Sequence, residues 1–123
     1  MEQNTKVLII DDEKTNIKIL LEIFEFDEDE YITRTAFSGE EGLEILSGFH
    51  PDVILLDIMM PGIDGYEVCR RIRNDPANCS AKIIMLSGRA MQDEIDKGFE
   101  AGADKYVSKP FGIKELLDIL KAL

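Results

Sequence analysis

Pro51-Asp52-Val53-Ile54-Leu55-Leu56-Asp57 holds an apolar run of four residues between a turn-forming dipeptide and an acid. A stretch this short, aliphatic and β-branched with no polar residue alternating through it, fits a strand covered on both faces, and such strands belong to parallel sheets. The same pattern stands on either side of it. Lys6-Val7-Leu8-Ile9-Ile10 stops at Asp11-Asp12, and Lys82-Ile83-Ile84-Met85-Leu86 stops at Ser87-Gly88. Tyr31-Ile32-Thr33-Arg34-Thr35-Ala36-Phe37 is rich in β-formers, and Tyr106-Val107 makes a short fifth strand.

Helical patterns fill the intervals. Ile17, Leu20, Leu21 and Phe24 recur at i, i+3, i+4 and i+7, one face of a helix. Ser38 with Glu41 forms a capping box ahead of a helix that turns Leu43 and Leu46 inward and ends at Gly48. Pro61-Gly62 and Asp64-Gly65 punctuate a loop before a helix with Val68, Cys69 and Ile72 inside and Arg70, Arg71 and Arg73 outside. Met91, Ile95 and Phe99 mark the next helix, expected to pack them on the core, with Gly102 at its end. Ile113, Leu116, Leu117 and Leu120 mark the last.

Five strand–helix pairs in 123 residues predict a doubly wound α/β fold: an open parallel sheet with helices on both faces. A closed barrel of eight such pairs needs about 250 residues. The length also predicts a single domain over residues 1–123, with any effector on another chain or in a larger protein from which this domain is taken.

Composition narrows the function classes. Fourteen Lys and Arg against 25 Asp and Glu give a net charge of −11, which argues against gripping a nucleic-acid backbone, since that requires cations to displace counterions from phosphates. The acids from Glu25 to Glu30 read as a solvated connection. No apolar run is long enough to span a membrane, and Met1–Lys6 lacks the features of a secretory signal, so the cytoplasm is the expected compartment. Cys69 and Cys79 lack metal or redox spacing and are expected as free thiols. Without secretion, Asn78-Cys79-Ser80 is a chance match to a glycosylation site, and the lone His50 beside Pro51 reads as a loop residue.

In doubly wound sheets, ligands sit beyond the carboxyl ends of the strands, where the strand order reverses. Asp11 and Asp12 end the first strand, Asp57 the third and Ser87 the fourth, and Lys109-Pro110 follows the fifth. Converging carboxylates repel one another and call for a proton or a cation, and an all-oxygen donor set suits Mg2+, with Mn2+ as the alternative. Lys109 and Ser87 add a positive charge and a hydroxyl able to hold the oxygens of a phosphoryl group. Asp57, alone at its strand end, is the candidate nucleophile. Singly, Asp11 reads equally well as a helix cap, Ser87 as a turn residue and Lys109 as a surface charge. Their joint placement at matching ends of the strands is what points to a site.

Ile9-Ile10-Asp11-Asp12-Glu13, Leu55 to Gly65, Met85-Leu86-Ser87, Ala101-Gly102-Ala103-Asp104 and Lys109-Pro110-Phe111 resemble, in order and spacing, the signature blocks of response-regulator receiver domains. The resemblance covers essentially the whole chain. It implies a five-stranded flavodoxin-like sheet of order 2-1-3-4-5 in three α/β/α layers. The implied function is a non-enzymatic phosphoacceptor in two-component signalling. Asp57 takes a phosphoryl group from a phosphohistidine on a histidine kinase or a histidine phosphotransfer protein. By the same resemblance Asp12 binds Mg2+ directly, Asp11 acts mostly through a metal-bound water, and the backbone carbonyl of Met59 completes the protein ligands. Lys109 contacts the phosphoryl group, Ser87 and Tyr106 form the switch, and a cis peptide before Pro110 aims Lys109 inward. The side chains of Met59 and Arg89 stand where the family tunes the lifetime of the phosphate. Lys105, and the lack of Arg from Ile113 to Leu123, depart from the subfamily that binds DNA as dimers.

Two other readings fit less well. A flavin-binding carrier of this fold needs a Ser/Thr/Gly-rich phosphate loop where this chain has Asp11-Asp12-Glu13. An aspartate-nucleophile phosphatase wants a second Asp two residues after the nucleophile, where this chain has Met59.

Overall fold

The chain alternates strand and helix throughout: β1 (Thr5–Ile10), α1 (Lys14–Phe26), β2 (Tyr31–Ala36), α2 (Gly39–Ile45), β3 (Val53–Asp57), α3 (Gly65–Arg73), β4 (Lys82–Ser87), α4 (Gln92–Ala101), β5 (Lys105–Ser108) and α5 (Ile113–Ala122). This computed structural model describes residues 5–27, 30–88 and 91–122. All strand pairs are parallel and the order is β2-β1-β3-β4-β5, so the reversal falls between β1 and β3.

The period-2 geometry of the strands sorts the core into two layers. Leu8, Ile10, Ile54, Leu56, Ile83 and Met85 pack against α2, α3 and α4 through Val68, Cys69, Ile72 and Ala101. Their strand neighbours Val7, Ile9, Val53, Leu55, Ile84 and Leu86 pack against α1 and α5 through Ile17, Leu20, Phe24 and Leu116. Every residue of β3 is buried, as its unbroken apolar run required.

Several local expectations are corrected. Glu41 does not close a reciprocal box: Ser38 Oγ accepts from the Glu41 amide, while the Glu41 carboxylate accepts from the amide of Phe37, one residue before the cap. α2 ends at Ile45, short of Gly48. Met91 and Phe99 are 65% and 47% exposed, because α4 turns Gly98 and Ala101 to the sheet instead. Arg73, expected outside, folds back. Its guanidinium donates to the carbonyls of Gly102, Cys79 and Ala81 and pairs with Asp104 at 2.7 Å, joining the ends of α3 and α4 to the start of β4. Gly102 provides one of those carbonyls from a left-handed cap at φ 116, a conformation glycine adopts without strain.

The acidic α1–β2 connection is not wholly solvated either, since Asp27 accepts from the hydroxyl of Tyr31 at 2.6 Å and pairs with Lys121 of α5. Glu28 and Asp29 lie outside the described residues. Asn78 is buried, donating to the Leu46 carbonyl and to Asp75 while its oxygen meets His50 Nδ1, so its place is structural. Both cysteines are free, Cys69 buried with its thiol pushed up to about 11 chiefly by burial, and Cys79 exposed.

Candidate functional site

Register builds the site. Ile10 pairs with Leu56 across β1 and β3, so Asp11 and Asp57, each one residue further, leave the sheet side by side at the reversal. Asp57 pairs with Leu86 of β4, and Ser87 is the next residue. Neighbouring strands lie about 4.8 Å apart. A carboxylate oxygen from each of Asp11, Asp12 and Asp57 accordingly falls within 4.8 Å of the other two.

The three acids differ in environment. Asp11 and Asp57 are 1% and 4% exposed, whereas Asp12 faces solvent. Asp11 accepts from the amide of Glu13 at 2.9 Å, an Asx turn that starts the connection into α1, and its other oxygen takes Lys109 Nζ at 3.2 Å. The same ammonium lies 3.4 Å from Asp57 Oδ1. Lys109 reaches both from the end of β5, where its amide donates to the Ser87 carbonyl and the peptide to Pro110 is cis.

Electrostatics follow from this packing. Burial, and then the charge of Asp11, push the Asp57 carboxyl from 3.8 up to about 7, with Lys109 pulling the other way. An oxygen-only cluster with a proton affinity this high at one member, open to solvent on the Asp12 side, fits a small hard cation. Ser87 is buried at the end of β4, and Tyr106, which pairs with Met85 and packs on the face covered by α2, α3 and α4, is half-buried. Met59 turns its side chain outward, and Arg89 lies outside the described residues.

Gly65, read in the sequence only as a loop residue, and Tyr66, not singled out there, complete the surroundings. Gly65 begins α3 against the end of β3: its amide donates to the Ile58 carbonyl, and a Cβ there would lie 2.5 Å from the Asp57 carbonyl oxygen. No other residue fits so close an approach. Tyr66 follows it, buried, with its hydroxyl on the Glu94 carbonyl of α4. Asp64, whose side chain caps α3 by accepting from the Glu67 amide, was the available signal for where that helix starts, but nothing local indicated what Tyr66 would meet.

A sequence profile of the response regulator receiver domain matches residues 7–121. Among solved structures, a putative response regulator from Chloroflexus aurantiacus J-10-fl is 36% identical, with a TM-score of 0.91 over 98% of this chain and 97% of that one. The BeF3-activated receiver domain of DrrB, a Thermotoga maritima protein, is 32% identical, with a TM-score of 0.87 over 98% and 97%. Chemotaxis protein CheY4 of Vibrio cholerae is 27% identical, with a TM-score of 0.90 over 98% of each chain.

Proposed function

This chain belongs to the response regulator receiver family, and from that premise we propose that it is a regulatory phosphoacceptor whose Asp57 takes a phosphoryl group from a phosphohistidine on a histidine kinase or phosphotransfer protein. The observation that carries the reading is the setting of Asp57: a buried carboxylate 3.4 Å from Lys109 Nζ, in a cluster of three acids spanning no more than 4.8 Å.

In the transfer, an Asp57 oxygen attacks phosphorus, the phosphorus–nitrogen bond to the donor imidazole breaks, and that bond's electron pair remains on the imidazole nitrogen, which then takes a proton. Lys109 orients the carboxylate and stays close enough to bind a transferred oxygen. Asp11 holds Lys109 on its other side and keeps the ammonium aimed inward. Asp11, Asp12, Asp57 and the backbone carbonyl of Met59 would hold Mg2+ or Mn2+, which supplies neutralising charge to the acids and to the phosphoryl oxygens when bound. Activation of the DrrB relative by BeF3, a phosphoryl analogue, supports the same chemistry.

Ser87, one residue beyond the level of Asp57 on the adjacent strand, is the hydroxyl that closes on the phosphoryl group, and Tyr106 follows it. Met59 places no acid where a phosphatase needs one, consistent with a role as acceptor rather than turnover enzyme. Intact mass after incubation with a small-molecule phosphodonor tests the reading. One added phosphoryl group that requires Mg2+, is released by hydroxylamine and is lost in Asp57→Asn is expected. An adduct that survives in Asp57→Asn would overturn the assignment.

A further inference from the structure

Tyr66 sits in the first turn of α3 and is only 6% exposed. Its hydroxyl donates at 3.2 Å to the carbonyl of Glu94, in the first turn of α4. Lys97, three residues further along α4, brings Nζ to 4.9 Å from the centre of the Tyr66 ring. Residues three apart share a helix face, so one side chain of α3 grips α4 at two neighbouring points.

α4 turns small residues toward the sheet. Its buried residues are Gly98 and Ala101, which together offer one methyl group. A helix with so small an apolar face depends more on polar contacts for its positioning, and the Tyr66 hydroxyl supplies one at its first turn as Arg73 does at its end. Tyr106 leans on the same stretch: a Cβ added at Gly98 would lie 3.2 Å from Cδ2 of Tyr106 and 2.9 Å from Sδ of Met85. α4 starts at Gln92, only five residues after Ser87, and the turn that Tyr66 holds is its first.

We propose that Tyr66 is a positioning residue that restrains the first turn of α4 and thereby sets how readily Ser87 and Tyr106 rearrange around a phosphoryl group on Asp57. The inference rests on the receiver reading above. A contact made in one of two arrangements biases their equilibrium by its own free energy, whereas one kept equally in both biases nothing. The Tyr66 hydroxyl opposes the rearrangement, and removing it favours the phosphoryl-bound state.

Titration calorimetry of Mg2+ alone, and of BeF3− in saturating Mg2+, tests this on the intact chain and on Tyr66→Phe, which keeps the ring and its contact with Lys97. Binding of BeF3− about five-fold tighter in the variant, with unchanged affinity for Mg2+, is expected for one neutral hydrogen bond. A merely structural role would lower the unfolding midpoint without tightening BeF3− binding. Unchanged or weaker BeF3− affinity in Tyr66→Phe would overturn the proposal. Should Tyr66→Phe fail to fold, Lys97→Met removes the second grip and is read by the same criterion. A parent protein that binds no BeF3− in Mg2+ would instead sink the receiver reading, so the two failures are distinguishable.

Discussion

Asp57→Asn is expected to make the metal-free protein more stable, and increasingly so as the pH rises. In the fold the Asp57 carboxyl is pushed up to about 7, first by burial and then by Asp11, from an ordinary value of 3.8. Between those two values the folded chain holds a proton that the unfolded chain has released, so stability falls as pH rises through that window. At about 1.4 kcal/mol for each pH unit, the loss comes to a little over ~4 kcal/mol by pH 8. Coulomb's law gives a similar figure. Two carboxylates at the 4.8 Å limit of this cluster repel by about 3.5 kcal/mol at an effective dielectric near 20, and Lys109 at 3.4 Å offsets part of that. Asn keeps an oxygen for Lys109 but carries no charge to desolvate, so a gain of about 2–4 kcal/mol is expected at pH 8, shrinking to less than half by pH 5. Urea unfolding of both proteins in a chelator at the two pH values measures it. The rest of the chain is common to both proteins, so its contribution cancels in the difference. Equal stability at pH 8, or a difference independent of pH, would refute the electrostatic account.

Mg2+ should stabilise the parent by about 2.7 kcal/mol at one hundred times its dissociation constant, and Asp57→Asn by less. A melting temperature indifferent to saturating Mg2+ would mean that the three acids do not act together. Arg73→Met should cost about 2–4 kcal/mol of stability while leaving phosphoryl acceptance intact, because it strands three carbonyls and Asp104 far from the strand ends that hold the acids. A loss below about 0.5 kcal/mol in chemical denaturation would show that the bonds are solvent-exchanged. Gly65→Ala should destabilise by about 1–3 kcal/mol and slow phosphoryl uptake, since its methyl can be fitted only by shifting the backbone of Asp57. Uptake at the parental rate by time-resolved mass spectrometry would exclude that coupling.

The strands and their order of reading were legible because a strand covered on both faces leaves an unbroken apolar run, and an acid or hydroxyl at its end is conspicuous against it. Asp11, Asp57, Ser87 and Lys109 could be grouped on those grounds alone, and the structure brings Asp11, Asp57 and Lys109 into contact. The helices were less transparent. Apolar periodicity picked Met91 and Phe99 for the core, yet α4 seats itself through glycine and alanine, which carry no hydrophobic signal. Arg73 reads as a surface cation because three of its four partners are backbone carbonyls from segments 6 to 29 residues away, and backbone acceptors leave no trace in a sequence. Tyr66 was invisible for the same reason: its partner is the carbonyl of Glu94, which any residue at that position would provide.

The arrangement of aromatic rings has an optical consequence. With no tryptophan and three tyrosines, the chain's near-ultraviolet emission comes from Tyr31, Tyr66 and Tyr106 alone. Tyr31 stands at the start of β2, at the opposite end of the sheet from the acids, and donates to Asp27. Tyr66 and Tyr106 both lie against α4, one beneath the Lys97 ammonium and the other across Gly98. Two of the three native fluorophores therefore rest against the helix that the proposed rearrangement would displace, and the third lies away from it, so an unlabelled sample would carry its own conformational dye.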